Sequence, residues 1–330
     1  WSPELALLVA VGDSSGAAGA MTSTDGTTWT ARTTPTGGDY RSVCWSPDLT
    51  LFVAVGDAGL VMTSPDGVNW TAQTAADAND WQAVCWSPDL NLFCATAQTG
   101  IGNRIMTSPD GVNWVTQVSP SDIQWSGVCW SPELLIFCAV ADGKSATSAD
   151  GITWVLHDIP DISGHGLSAH KVCWSSELRL FTTVGFYGVA TSSDGETWTL
   201  RTAASSNTWS DVCWSPDLFT FAAVSYSGVG TRVMTSDENS TPVITGQVFE
   251  IGGVYYSWDS DVDNGTPDGT VSAPWLALLG ADDVASLANM AKLLNYGGTP
   301  GVDFSTDLPG PSTTVTAKAV GFSLTVTSIA

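Results

Sequence analysis

Apolar residues fall in short runs along the chain, and the clearest set lies between residues 81 and 118. Trp81-Gln82-Ala83-Val84-Cys85-Trp86 is followed by a polar turn, Ser87-Pro88-Asp89-Leu90. Leu92 to Ala97 and Ile105 to Ser108 come next, and Trp114 to Val118 closes the set. Runs this short, rich in β-branched and aromatic residues and bounded by Pro, Gly, Asp and Asn, predict four strands rather than helices. The first two are apolar on both faces, as in a sheet covered on both sides. The fourth is polar, like Thr71-Ala72-Gln73-Thr74 in the preceding set, as at an exposed edge.

The set repeats. Aligned on Trp1, Trp45, Trp86, Trp130, Trp174 and Trp214, the spacings are 44, 41, 44, 44 and 40 residues. That is the period of four short strands per blade of a β-propeller. The prediction is an all-β fold with a six-bladed ring over residues 1–242. Trp1-Ser2-Pro3-Glu4-Leu5 matches the interior of a later repeat, Trp45-Ser46-Pro47-Asp48-Leu49. The chain thus reads as a piece of a longer polypeptide, and a seventh blade upstream stays open.

A second motif sits inside the repeat. Ser64-Pro65-Asp66-Gly67-Val68-Asn69-Trp70 recurs from Ser23, Ser108, Ser148 and Ser192, with Ser, Asp, Gly and Trp fixed at positions one, three, four and seven. Asp-Gly suits a tight hairpin, because Gly accepts positive φ and the Asp carboxylate bonds nearby N–H groups. Trp anchors the start of the next strand. The motif resembles the Asp-box (BNR-type) repeat of sialidases, sortilin-like receptors, photosystem II assembly factors and many phage proteins. The resemblance covers roughly residues 1–240 and implies a β-propeller in which Asp25, Asp66, Asp110, Asp150 and Asp194 are structural. It says less about activity, since the motif occurs in enzymes, receptors and scaffolds alike.

The sixth repeat decays after Trp214, and the pattern ends near residue 242. Residues 243–330 read as a small α+β module. Val243 to Trp258 suggests two strands about Gly252-Gly253. Val284, Leu287, Ala288, Ala291 and Leu294 recur at helical period after an Asp282-Asp283 start, and Thr313 to Val320 pairs with Phe322 to Ile329. The module loosely resembles one found in phage virion proteins. Its loop carboxylates Asp259, Asp261 and Asp263 alternate as in a Ca²⁺ site, but the glycine falls one place late for an EF-hand and no Glu follows at position twelve. The expectation is no cofactor or at most Ca²⁺ here, and an acidic solvated turn is the plainer reading.

Charge narrows the classes further. With 10 Lys plus Arg against 33 Asp plus Glu, the net charge is −23. That argues against nucleic-acid partners and against docking on anionic membranes. No apolar run is long enough to span a bilayer, so no membrane insertion is expected. Of the seven cysteines, Cys44, Cys85, Cys129, Cys173 and Cys213 each precede the repeat Trp. Cys94 and Cys138 stand where other repeats have Val53, Thr182 and Ala222, which reads as buried thiols. Disulfides Cys85–Cys94 and Cys129–Cys138 are the alternative.

Candidate chemistry belongs on the propeller face opposite the uniform turns, where loops vary. Tyr40, Trp81, Trp125 and Trp209 open the innermost strands and are candidate sugar-stacking groups at the channel mouth; Ala169 takes that place in the fifth repeat. The longest loop, Val155 to Lys171, holds His157, His165 and His170, of which His165 and His170 join the ligand-binding candidates. With Asp158 and Asp161 nearby a metal site is the rival reading, though the spacing matches no ligand signature. A sialidase-like glycosidase needs an arginine cluster and paired carboxylates, whereas Arg32 and Arg201 lie on outer strands and only Arg41 opens an inner one. The expectation is a non-enzymatic display component of a bacteriophage particle, in the virion or extracellular. Its loops would meet a host-surface glycan or protein, its C-terminal module other virion proteins, and it would act as a homo-oligomer. The alternatives are an extracellular or assembly-factor propeller with a protein partner, and a sialidase-like glycoside hydrolase.

Overall fold

The computed structural model describes residues 1–236 except 15–17, 163–164, 187 and 231, together with four later strands. The chain divides into two compact units, Trp1–Ser236 and Asp237–Ala330. In the second unit Val248–Ile251 pairs with Val254–Ser257, and Ser312–Ala319 with Phe322–Ile329. The helix expected near residues 284–294 lies outside the described residues.

The first unit is an all-β, six-bladed propeller. Its first sheet is Leu8–Val11, Ala20–Ser23 and Thr30–Arg32. The second is Gly38–Ser46, Leu51–Gly56, Leu60–Ser64 and Thr71–Thr74, with Asp13–Ser14 added along Gly38–Ser46. The third runs Trp81–Ser87, Leu92–Ala97, Ile105–Ser108, Val115–Gln117, and the fourth Trp125–Ser131, Ile136–Ala141, Lys144–Ser148, Val155–Asp158. Ala169–Ser175, Leu180–Gly185, Gly188–Ser192 and Thr199–Arg201 form the fifth; Trp209–Ser215, Thr220–Ser225 and Val233–Thr235 form the sixth. Apart from the added Asp13–Ser14, each of the six sheets is an antiparallel meander, as short connections allow.

The blades cohere because their inner and middle strands bury apolar side chains on both faces. Between the second and third blades, Val53, Val55 and Val61 meet Trp81, Val84, Trp86, Phe93, Ala95 and Met106. Inside blades two to six a Trp–Phe pair recurs, with centroids 4.5 Å apart for Trp45–Phe52 and Trp86–Phe93 and 4.7 Å for Trp130–Phe137. Each inner-strand Trp also reaches back to the preceding blade. Its indole N–H donates to the acid of the Trp-Ser-Pro-acid turn: Trp45 to Glu4 at 2.7 Å, Trp86 to Asp48 at 3.0 Å and Trp130 to Asp89 at 2.9 Å. Trp174 to Glu133 and Trp214 to Glu177 continue the series. These indole–carboxylate links satisfy a donor that burial would otherwise leave unpaired.

The seven-residue turn behaves as its chemistry dictates. In the third blade Ser108 Oγ donates to Asp110 Oδ1 at 3.0 Å, while that oxygen accepts the N–H groups of Val112 and Asn113 at 2.9 and 2.7 Å. Trp114 Nε1 donates to the Gly111 carbonyl at 3.0 Å. Gly111 has φ +73° and presses on the blade before it: a Cβ there would stand 2.9 Å from Val53 Cγ2. Conformation and contact both require glycine. The same set surrounds Asp25, Asp66, Asp150 and Asp194. Burial alone would raise the Asp66 and Asp110 carboxyls, but the converging N–H and O–H donors prevail and hold both down at about 2.

Candidate functional site at the loop face

Inner strands of successive blades lie side by side and form the hub. In blades two to six each inner strand begins at the loop face with a β-bulge. Trp125 stands opposite Ala141 and Gly127 opposite Val140, so Ser126 has no cross-strand partner; the same shift occurs in blades two, three, five and six. One extra residue reverses the alternation of side chains. The strand's first residue therefore joins Val128 and Trp130 on the face buried against the neighbouring blade.

This corrects the expectation for the four aromatics. Trp81, Trp125 and Trp209 are 0% exposed and Tyr40 2%. The indoles donate to Asp77 O, Ser121 O and Ser205 O, and Tyr40 Oη meets Thr36 Oγ1 at 2.8 Å. None offers a ring face to a sugar, so they are packing residues rather than a stacking site.

The bulge instead turns Arg41, Gln82, Ser126 and His170 toward the hub. Arg41 holds Asp57 through two bonds, Nε to Oδ1 at 3.0 Å and a second of 2.5 Å to Oδ2. Gln82 Nε2 donates to the same carboxylate at 3.1 Å. Beside them the Asp39 carboxyl, which shares a hydrogen bond with Asp13 as the proton donor, is raised above its ordinary range by that bond, by burial and by the Asp13 charge. Lys171 Nζ spans from blade five to the Gln82 carbonyl of blade three at 2.7 Å. Burial holds its ammonium below the usual lysine range, against the pull of Asp211.

Exposed aromatic residues do stand on this face where the loops of blades five and six meet. His170 Nδ1 donates to the Trp209 carbonyl at 3.0 Å, which fixes its tautomer and leaves Nε2 as an acceptor. Burial lowers the His170 pKa and favours that neutral form. Phe186 stands edge-on to the imidazole at 5.0 Å. The Phe186 backbone bridges to Thr208, whose N–H donates to Ser227 Oγ at 2.6 Å, drawing the Tyr226 loop alongside. Phe186 is 38% exposed and Tyr226 60%. Both follow directly on the second strand of their blade, where blades two, three and four carry Asp57, Gln98 and Asp142. That blade-specific substitution was the available signal.

His157 lies on the outer strand, with Nε2 2.9 Å from Thr147 Oγ1. His165 opens a short strand, His165–Gly166, that pairs with Asp161–Ile162. Ile159 and Leu167 bury against blade four and tie this loop down. Among the described residues no three His, Cys, Asp or Glu side chains are grouped to hold a metal. Asp259, Asp261 and Asp263 lie outside the described residues. All seven cysteines are free thiols, and burial pushes those of Cys94 and Cys138 far above their ordinary range. Cys85 faces Cys94, and Cys129 faces Cys138, as direct cross-strand partners.

No family model matches the chain, and no curated protein matches it. Solved structures do. A catalytically inactive virginiamycin B lyase from Staphylococcus aureus, crystallised with quinupristin, is 9% identical with a TM-score of 0.54; the match covers 62% of this chain and 70% of that one. A chain of a nidogen/laminin complex is 9% identical with a TM-score of 0.50, covering 67% and 85%. YCF48 bound to D1 peptide is 17% identical, with a TM-score of 0.47 and coverage of 74% and 82%. The shared feature is the fold. This is a β-propeller. Its neighbours include an enzyme and proteins solved in complexes, so the fold alone assigns no activity.

Proposed function

We propose that the chain is a non-enzymatic recognition component displayed on a bacteriophage particle, with its loop face turned to a glycan of the host surface. The observation that carries the reading is the contrast between the two faces of the ring. One is built from near-identical turns engaged in their own hydrogen bonds. The other carries loops that differ from blade to blade and presents the His170–Phe186–Tyr226 group. An exposed phenyl ring packed on an imidazole acceptor, with an exposed phenol on the neighbouring blade, suits a sugar, whose C–H face stacks while its hydroxyls bond. Residues 243–330 would attach the ring to other virion proteins. Presented in several copies, weak single contacts gain roughly 10²–10⁴ in avidity.

A protein partner is the second reading, favoured by the exposure of Ile101 (87%) and Val229 (98%) on loops of the same face. The experiment is a Phe186→Ala/Tyr226→Ala double variant measured for adsorption to host cells and for binding to immobilised surface glycans. The expected result is about a tenfold or greater loss of binding, the scale of two stacking contacts, with an unchanged melting temperature. Undiminished binding would remove this site. Loss of binding only in Ile101→Ser/Val229→Ser would move the reading to a protein partner.

A further inference from the structure

Asp-Gly is among the peptide sequences most prone to rearrange. The glycine nitrogen attacks the aspartate Cγ and a C–N bond forms. The amide hydrogen and the carboxyl hydroxyl leave as water, closing a five-membered succinimide. Water then reopens the ring at either carbonyl and returns aspartate or isoaspartate, whose main chain runs through Cβ and Cγ. The solvent supplies everything consumed, and glycine offers no Cβ to hinder the attack. The ring carries this sequence at the tips of five hairpins, at Asp25, Asp66, Asp110, Asp150 and Asp194.

Closure needs a glycine N–H able to give up its proton, a carboxyl carbon brought over that nitrogen, and a protonated carboxyl whose hydroxyl can leave. The turns oppose all three. The glycine N–H donates to the turn serine: Gly26 to Ser23, Gly111 to Ser108 and Gly151 to Ser148 at 2.9 Å, and Gly195 to Ser192 at 2.8 Å. The same Oγ donates its own hydrogen to the aspartate Oδ1, at 3.0 Å from Ser23 and Ser108, 3.1 Å from Ser148 and 2.8 Å from Ser192. That oxygen also accepts the two N–H groups beyond the glycine, those of Val112 and Asn113 in the third blade. To reach the glycine nitrogen the carboxylate must leave three donors, and those donors favour its ionised form. In the second blade Ser64 makes the bond to Asp66 Oδ1 at 3.0 Å.

We propose that Asp25, Asp110, Asp150 and Asp194 are latent isoaspartate sites, and that Ser23, Ser108, Ser148 and Ser192 guard them. Through one oxygen each serine holds both the attacking N–H and the carboxylate it would attack. The lesion is one the ring would feel. An isoaspartate at position 110 lengthens the main chain by a carbon and withdraws Oδ1 from Val112 and Asn113. It thereby loosens Trp114, which packs on Phe93 within the core between blades two and three. The inference stands apart from the glycan reading.

The test ages the full 330-residue chain at mildly acidic pH and locates isoaspartate by peptide mapping with electron-transfer fragmentation. A synthetic peptide of residues 108–114 gives the unguarded rate. Ser108→Ala should form isoaspartate at Asp110 about tenfold or more faster than the parent, the scale of two lost hydrogen bonds, while Asp150 and Asp194 in the same molecule keep their rates. Ser108→Thr retains the hydroxyl and should age as the parent does. Ser148→Ala should move the lesion to Asp150, and it carries the test if Ser108→Ala does not fold. Trp114→Phe loosens the same turn with the serine in place and should leave Asp110 unchanged. A parental rate in both serine-to-alanine variants overturns the proposal, as does a parent that ages as fast as the peptide. An equal rise in Trp114→Phe would assign the protection to turn rigidity, and a rise at every turn together would assign it to global folding. Either result overturns the proposal.

Discussion

Replacing Trp125 with alanine separates a packing residue from a binding residue. The side chain is fully buried among Ala83, Cys94, Ile105, Val128, Trp130 and Phe137, where blades three and four meet. A tryptophan removes about 150–250 Å² from water, and at about 25 cal/mol per Å² that is worth roughly 4–6 kcal/mol. Partial collapse around the cavity brings the observed cost of such a truncation to about 3–5 kcal/mol. A unit of this size loses roughly 2–4 °C of melting temperature per kcal/mol, so Trp125→Ala should melt about 6–20 °C lower. Trp125→Phe keeps most of the area and frees only the Ser121 carbonyl, so it should cost about 1–2 kcal/mol. Thermal and urea unfolding followed by tryptophan fluorescence measure both. If Trp125→Ala melts within about 1 °C of the parent while glycan binding disappears, the burial argument is wrong and the ring is a contact surface.

The turn carboxylates predict acid sensitivity. Asp66 and Asp110 titrate at about 2 when folded and near 4 when unfolded, so the unfolded chain takes up the protons first. Their contribution is complete above about pH 4 and is lost as pH falls through about 2; urea midpoints from pH 5 to 2 should fall steeply, and an Asp66→Asn/Asp110→Asn variant should flatten that slope. Gly111→Ala meets both a φ of +73° and Val53 Cγ2, and should cost about 1–3 kcal/mol, read as a lower urea midpoint. Alkylation of the native protein should reach Cys213 first, the one exposed thiol, and Cys94 and Cys138 only in denaturant; non-reducing mass spectrometry that finds a Cys85–Cys94 bond would contradict the free-thiol state.

The six-sheet ring was legible because Trp, Asp-Gly and the Trp-Ser-Pro turn recur with chemistry that acts within a few residues of itself. The Asp66 carboxylate bonds to Val68 and Asn69, so sequence proximity alone reveals it. The position of Trp81 and Trp125 was not legible in that way. Simple alternation puts them on the wrong face, and only the bulge after each of them, set by pairing with a distant strand, reverses it. The indole–carboxylate link was half visible: an acid stands three places after each repeat Trp, but its partner is the Trp of the following blade. The Phe186–Tyr226 group needed the Thr208 bridge between two loops, a contact no local pattern encodes.

Those indole–carboxylate links all run one way, from each blade's tryptophan to its predecessor's acid, and Gly111 likewise leans on the blade before it. Each unit therefore carries a matched plug and socket, and any unit is able to follow any other. Recombination between two copies at equivalent codons inserts or removes one whole sheet and leaves an intact plug in an intact socket at the new junction. For such a gene the number of blades is a quantity open to change in a single event, whereas the plug and the socket change only together.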